Sequence, residues 1–155
     1  MHGSRHRANA MLAPDVNVLV YAHRAESPDH HRYAGWVETL ARGPEPFGFS
    51  DLVASGFVRV VTNQRLWRPA TEPAQALAFV DRLRRRRCCR ILVPGSGTWT
   101  IFSRLVESIG ARGKLVADAY LAALAMEHGC TLATCDSDFA RFADLRWSHP
   151  LQPAG

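Results

Sequence analysis

Apolar residues along this chain fall into two patterns. Short, nearly continuous runs at 11–14, 46–50, 90–94 and 130–134 read as strands, whereas the stretches between them carry apolar positions three or four apart, as helices do. The segment "MLAP" leads as a short strand into "DVNVLVYA", where an apolar run starts directly after Asp15. Ser27 then reads as an N-cap with Pro28 at the first helical position. That helix runs to about Ala41, turns Tyr33, Trp36, Val37 and Leu40 inward, and stops at Gly43-Pro44. "PFGFS" is a short strand. Residues 51–63 are helical by the spacing of Leu52, Phe57, Val60 and Val61, although their valine content also suits a strand.

After a loop at 65–69, Thr71-Glu72-Pro73 opens a helix with Leu77, Phe79, Val80 and Leu83 apolar, and an arginine run ends it. "RILVP" is a strand of the continuously apolar, buried kind. An amphipathic helix from Thr98 closes at Gly110, and a second, more uniformly apolar one stops at Gly129. The strand "CTLATCD" ends on Asp136, and "LRW" forms an edge strand before His149-Pro150. Strands alternating with helices, without repeats or low-complexity linkers, predict one α/β domain. Its central, mainly parallel sheet is flanked by helices on both faces, a three-layer α/β/α arrangement. In such sheets ligands bind beyond the carboxyl ends of the strands, where Asp15 and Asp136 both fall.

The totals narrow the class. At 155 residues, 47% hydrophobic and 21% charged, the chain suits a single globular core. Residues 1–10 read as a basic, disordered extension, with Met11 a candidate start and 11–155 the domain. No apolar run reaches the roughly 18 residues of a membrane span, and the N-terminus lacks a signal-peptide core, so a cytoplasmic protein without a membrane role is expected. Cys88, Cys89, Cys130 and Cys135 have no zinc-ligand spacing and read as reduced, small hydrophobes. A net charge of +5 favours a polyanionic partner. The densest part, "RLRRRRCCR" at 82–90, is equally readable as a solvated face that suits a helix C-terminus.

One residue resists this account. Asp118 lies inside "VADAYLAALAMEHG", where a carboxylate is costly unless something pairs with it. It precedes Asp136 by 18 residues, enough for a helix and a return loop that would bring both acids to one cleft. Asp15 can join them only through tertiary folding. Carboxylates gathered in this way repel one another unless a cation compensates, and a hard divalent ion with oxygen ligands does so. Singly, each also reads as a helix-start or turn carboxylate. "GARGKL" lacks the first glycine and the Ser/Thr of a P-loop, and there is no G-x-S-x-G nucleophile turn.

The residues "PDVNVLVYA", "GARGKLVADAYLAALAMEHGCTLATCDSDFARF" and "LRWSHPL" together resemble a PIN-domain ribonuclease of the VapC toxin type, over about Met11 to Leu151. The block Gly110–Phe142 is the specific part, with D-A-x-L-A-A-L-A followed by T-x-D-x-D-F. The resemblance implies an endoribonuclease dependent on Mg²⁺ or Mn²⁺, with Asp15, Asp118 and Asp136 as catalytic metal ligands and Asp138 a weaker candidate. It implies products with 5′-phosphate and 3′-hydroxyl ends, a VapB-type antitoxin as partner, and a homodimer. Asn17 and Thr134 match polar positions that border the site or serve as local caps. Arg59, Arg112 and Lys114, with Arg65 and Arg68, are candidates to grip RNA phosphates. One departure stands out. Gly56 occupies the register where the family commonly carries a helix glutamate, which leaves open one ion or two. It also raises the alternative of a catalytically disabled RNA-binding module. A nuclease acting on DNA and a purely protein-binding module are further readings.

Overall fold

A computed structural model of the chain describes residues 10–152. Of the expected N-terminal extension, residues 1–9 lie outside it, as do residues 153–155 of the domain. The elements are β1 (Leu12–Pro14), α1 (Val16–His23), α2 (His30–Arg42), β2 (Phe47–Ser50), α3 (Asp51–Val61), α4 (Pro73–Arg84), β3 (Cys89–Leu92), α5 (Thr98–Ile109), α6 (Lys114–Glu127), β4 (Thr131–Ala133), a short 3₁₀ helix (Ser137–Arg141) and β5 (Trp147–Ser148). All five strands are parallel, in the order β3-β2-β1-β4-β5.

That order fixes the layers. The chain steps from β1 to β2 to β3 in one direction, then crosses back over the sheet to β4. Because parallel crossovers are right-handed, α1 to α4 cover one face while α5 and α6 cover the other. Accordingly, α1 packs on α2 and α3, and α5 packs on α6. Phe47, Phe49, Phe57, Leu19, Leu124, Leu132, Phe139 and Phe142 fill the two interfaces and are almost fully buried. The direction of winding reverses between β1 and β4, and there the loops leaving their carboxyl ends diverge and open a crevice.

Local sequence accounts for most element boundaries. Ser50 caps α3 by accepting the Val53 N–H, Pro73 opens α4, and Gly110 takes the left-handed conformation (φ 61°) that ends α5. Glu127 on α6 accepts N–H bonds from Gly95 and Gly97 and a bond from the Thr98 hydroxyl, which pins the start of α5 to the end of α6.

Three sequence expectations differ from the structure. The helix expected from Pro28 starts at His30, because Ser27 and Pro28 belong to a turn in which Asp29 adopts a left-handed backbone (φ 57°). Leu52 on α3 and Leu77 on α4 point to solvent; α3 buries Val53 and Ala54 beside the one, and α4 buries Ala76 beside the other. β3 is an edge strand, with Ile91 exposed and Val93 following it into solvent, rather than a strand buried on both faces.

Candidate active site

The crevice between β1 and β4 is where the acids meet. β1 ends at Pro14, and Asp15 caps α1, its Oδ1 accepting the Val16 N–H at 2.7 Å. The Asp15 N–H donates to the Ala133 carbonyl at 2.9 Å, continuing the β1–β4 pairing one residue past the strand. On the neighbouring strand Thr134, fully buried, donates its hydroxyl to Asp15 Oδ2 at 2.7 Å. The Thr134 hydroxyl oxygen in turn accepts the Asp136 N–H at 3.0 Å. One hydroxyl therefore holds Asp15 and Asp136 in fixed relation, its proton spent on the first and a lone pair on the second. Asp136 caps the 3₁₀ helix, Oδ1 accepting the Asp138 N–H at 2.9 Å.

Asp118 arrives from the opposite layer. Gly113, at φ 58°, turns the chain into α6, so that Lys114 stands one helical turn before Asp118. The Lys114 ammonium donates to Asp118 Oδ2 at 3.2 Å and to Asp136 Oδ2 at 2.9 Å, bridging two acids from different elements. The side chains of Asp118 and Asp136 remain 14% and 20% exposed, within reach of solvent, whereas Asp15 is buried.

The electrostatics follow from these contacts. Burial pushes the Asp15 carboxyl above its ordinary value near 3.8, against the hydrogen bonds from Thr134 and Val16 and with a smaller push from the two neighbouring acids. Burial likewise raises Asp118, although Lys114 opposes it. For Asp136 burial also pushes upward, but the Asp138 N–H and the Lys114 ammonium outweigh it and hold this carboxyl below its ordinary value. Lys114 is raised in turn, chiefly by its bond to Asp136.

These groups border an open cavity of about 430 Å³ that includes Asp15, Asn17, Gly56, Arg59, Lys114, Asp118 and Asp136. Five of the candidates read from sequence as acids or phosphate grips thus meet at one place. Others do not reach it. Arg112, Arg65 and Arg68 are exposed and outside the cavity wall, and exposed Asp138 contributes only its backbone N–H. Thr134 lies beneath the floor. The sequence reading missed the bridging position of Lys114, for which its four-residue spacing from Asp118 was an available signal. It also missed Val16. A Cβ on Gly56 would lie 2.9 Å from Val16 Cγ2, so any side chain at this wall position would have to displace a valine from the neighbouring helix.

Among the described residues no three His, Cys, Asp or Glu side chains are grouped so that they could hold a metal ion as they stand. The donor set nonetheless fits a hard divalent ion. Asp118 and Asp136 present oxygens to a common cation, the ammonium, and Asp15 stands beside them with its orientation fixed.

Comparison with known proteins gives a consistent set of relatives. The PIN-domain family model matches residues 12–145. Ribonuclease VapC43 of Mycobacterium tuberculosis is 47% identical over 141 residues, covering 91% of this chain and 96% of the relative. Ribonuclease VapC25 of the same organism is 36% identical over 140 residues, 90% of this chain and 99% of its own length. Among solved structures, VapBC2 of Rickettsia felis, bound to a promoter DNA fragment, superposes with a TM-score of 0.65 at 21% identity over 90% of this chain and 98% of that one. VapC20 of M. tuberculosis, described as a toxin that cleaves the sarcin–ricin loop, gives 0.60 at 16% identity, over 87% and 98% of the respective chains.

Proposed function

The chain belongs to the PIN-domain family and, within it, with the VapC ribonucleases, and from that premise we propose that it is the endoribonuclease toxin of a VapBC-type toxin–antitoxin pair. The observation that carries this reading is the convergence of Asp15, Asp118 and Asp136, from the two ends of the chain and two layers of the fold, on one solvent-open cavity. The disabled-module alternative finds no support, since relatives that match along nine-tenths of the chain are ribonucleases.

Asp15, Asp118 and Asp136 would hold a divalent ion, Mg²⁺ or Mn²⁺. Bound there, such an ion supplies positive charge for the scissile phosphate and lowers the pKa of a coordinated water. The chain's own groups do the remaining work. Thr134 keeps Asp15 and Asp136 in register, so two of the acids are already held relative to each other when a cation arrives. Asp136, the most solvent-reached of the three, orients the attacking water. Arg59 and Asn17 on the cavity wall meet the RNA backbone, with Arg59 contributing affinity rather than sequence choice. A VapB-type antitoxin would inhibit by placing a basic side chain against the same carboxylates, as Lys114 already does from within. Homodimerisation fits the family. No helix among the described residues is long and apolar enough to cross a membrane.

The test is incubation of total bacterial RNA with the purified, partner-free chain in Mg²⁺, Mn²⁺ or EDTA, with Asp118→Asn in parallel. Discrete fragments that disappear in EDTA and in the variant are the expected result. Cleavage that persists in both would remove the metal and Asp118 from the reaction.

A further inference from the structure

The Lys114 ammonium lies between two carboxylates that the proposed reaction needs for a metal ion. Its contact with Asp118 is an ordinary pair one helical turn apart. The contact with Asp136 is not, because that residue follows 22 positions later on another element and is the nearer of the two, at 2.9 Å against 3.2 Å. The lysine side chain is 69% exposed and could extend into water, yet its charge is turned back into the cavity. Arg112, two residues earlier, makes no such contact.

From this arrangement we infer that Lys114 is an internal counter-ion which a divalent metal must displace, and which on release binds the RNA phosphate. The inference rests on the metal-dependent reading given above. An ammonium and a divalent cation repel strongly at contact distance and compete for the same Oδ2 atoms. Lys114 therefore weakens metal binding in the free protein while holding Asp118 and Asp136 together. Once displaced, the ammonium remains at the cavity wall on a long, exposed stem, where an anionic backbone is the available partner. RNA that takes up the lysine removes the metal's competitor, and metal that frees the lysine provides a phosphate contact. The two ligands then bind with positive coupling through one side chain.

Calorimetric titration of the full chain with Mn²⁺, at one pH and ionic strength, tests this without reference to turnover. Lys114→Gln should bind Mn²⁺ about five-fold more tightly than wild type, or better, and Lys114→Arg should stay near wild type. Arg112→Gln removes a nearby charge that touches neither acid and should change the affinity less than about two-fold. Equal tightening in Arg112→Gln and Lys114→Gln would reduce Lys114 to a share of the general field and overturn the inference. Unchanged or weaker binding in Lys114→Gln would overturn it as well. Wild-type binding that Asp118→Asn abolishes keeps the metal reading intact whatever Lys114→Gln shows. No Mn²⁺ binding by any of the proteins would end both.

Discussion

At the scale of single residues, the site sets function against stability. Asp118 ionises in a setting that resists ionisation, so its folded-state pKa lies above the ordinary 3.8. An acid raised in this way favours the folded state while protonated and costs stability as pH rises through its folded pKa. Asp118→Asn removes that cost. The variant proposed to be inactive should therefore melt a few degrees above wild type at neutral pH without metal, and the difference should vanish below about pH 4. Thermal unfolding of both proteins at several pH values measures it; a less stable variant at neutral pH would mean that the Lys114 bridge outweighs the burial. Asp118 was legible in sequence because a lone carboxylate among alanines and leucines needs a reason. Thr134 was legible only as a bordering polar residue. Its hydroxyl joins Asp15 to Asp136 through the pairing of β1 with β4, and no local spacing encodes a strand pairing between residues 119 positions apart.

Elements explain the glycine at the cavity wall. The start of α1 and the middle of α3 cross so closely that a methyl group on Gly56 would meet the Val16 side chain at 2.9 Å. Val16 is β-branched and has few rotamers with which to retreat. Gly56→Ala should cost about 1–3 kcal/mol from overpacking, partly offset by the better helix propensity of alanine. Val16→Ala makes room, so the double variant should recover most of the loss. Urea unfolding of the four proteins of the cycle gives the coupling, and additive losses would show that the two side chains do not compete for the space. Sequence periodicity located α3 but not its neighbour, since a helical pattern says which face is buried and not what buries it. β3 shows the same gap. Its short apolar run suited a central strand, but the return crossover to β4 leaves β3 at the rim with one partner. The turn at Asp29 defeated the helix start for a different reason, because Ser27-Pro28 has the chemistry of a cap and a left-handed Asp two residues later is not announced by composition.

Across the whole molecule, parallel strands separate the charge into two regions. The carboxylates gather beyond the carboxyl ends of β1 and β4, while Arg85, Arg86 and Arg87 form the turn that enters the amino end of β3. Arg86 is tied there to the Ala41 carbonyl at the end of α2. A strand of four residues spans about 13 Å, so this turn cannot share a phosphate with Asp118. Replacing Arg85 and Arg87 together by alanine should leave cleavage of a short RNA within about two-fold of wild type, because each guanidinium acts only on phosphates within a Debye length. Arg59→Ala should weaken RNA binding and flatten its salt dependence by about 0.7–0.9 in log–log slope. Binding measured across a salt series separates the two, and a flattened slope in the Arg85/Arg87 variant would place the arginine turn on the substrate path.

The strand order also bears on when the nuclease comes into being. β1 is made first and can pair early with β2, but its other edge waits for β4. From Asp15 to Asp136 the ribosome adds 121 residues, about 6–24 seconds at ordinary rates of 5–20 residues per second. For nearly all of that interval the growing chain holds Asp15 without Thr134 to orient it. On the proposed reading the nuclease stays chemically incomplete while the ribosome is making it, and the last strand to pair with β1 is also the step that arms it.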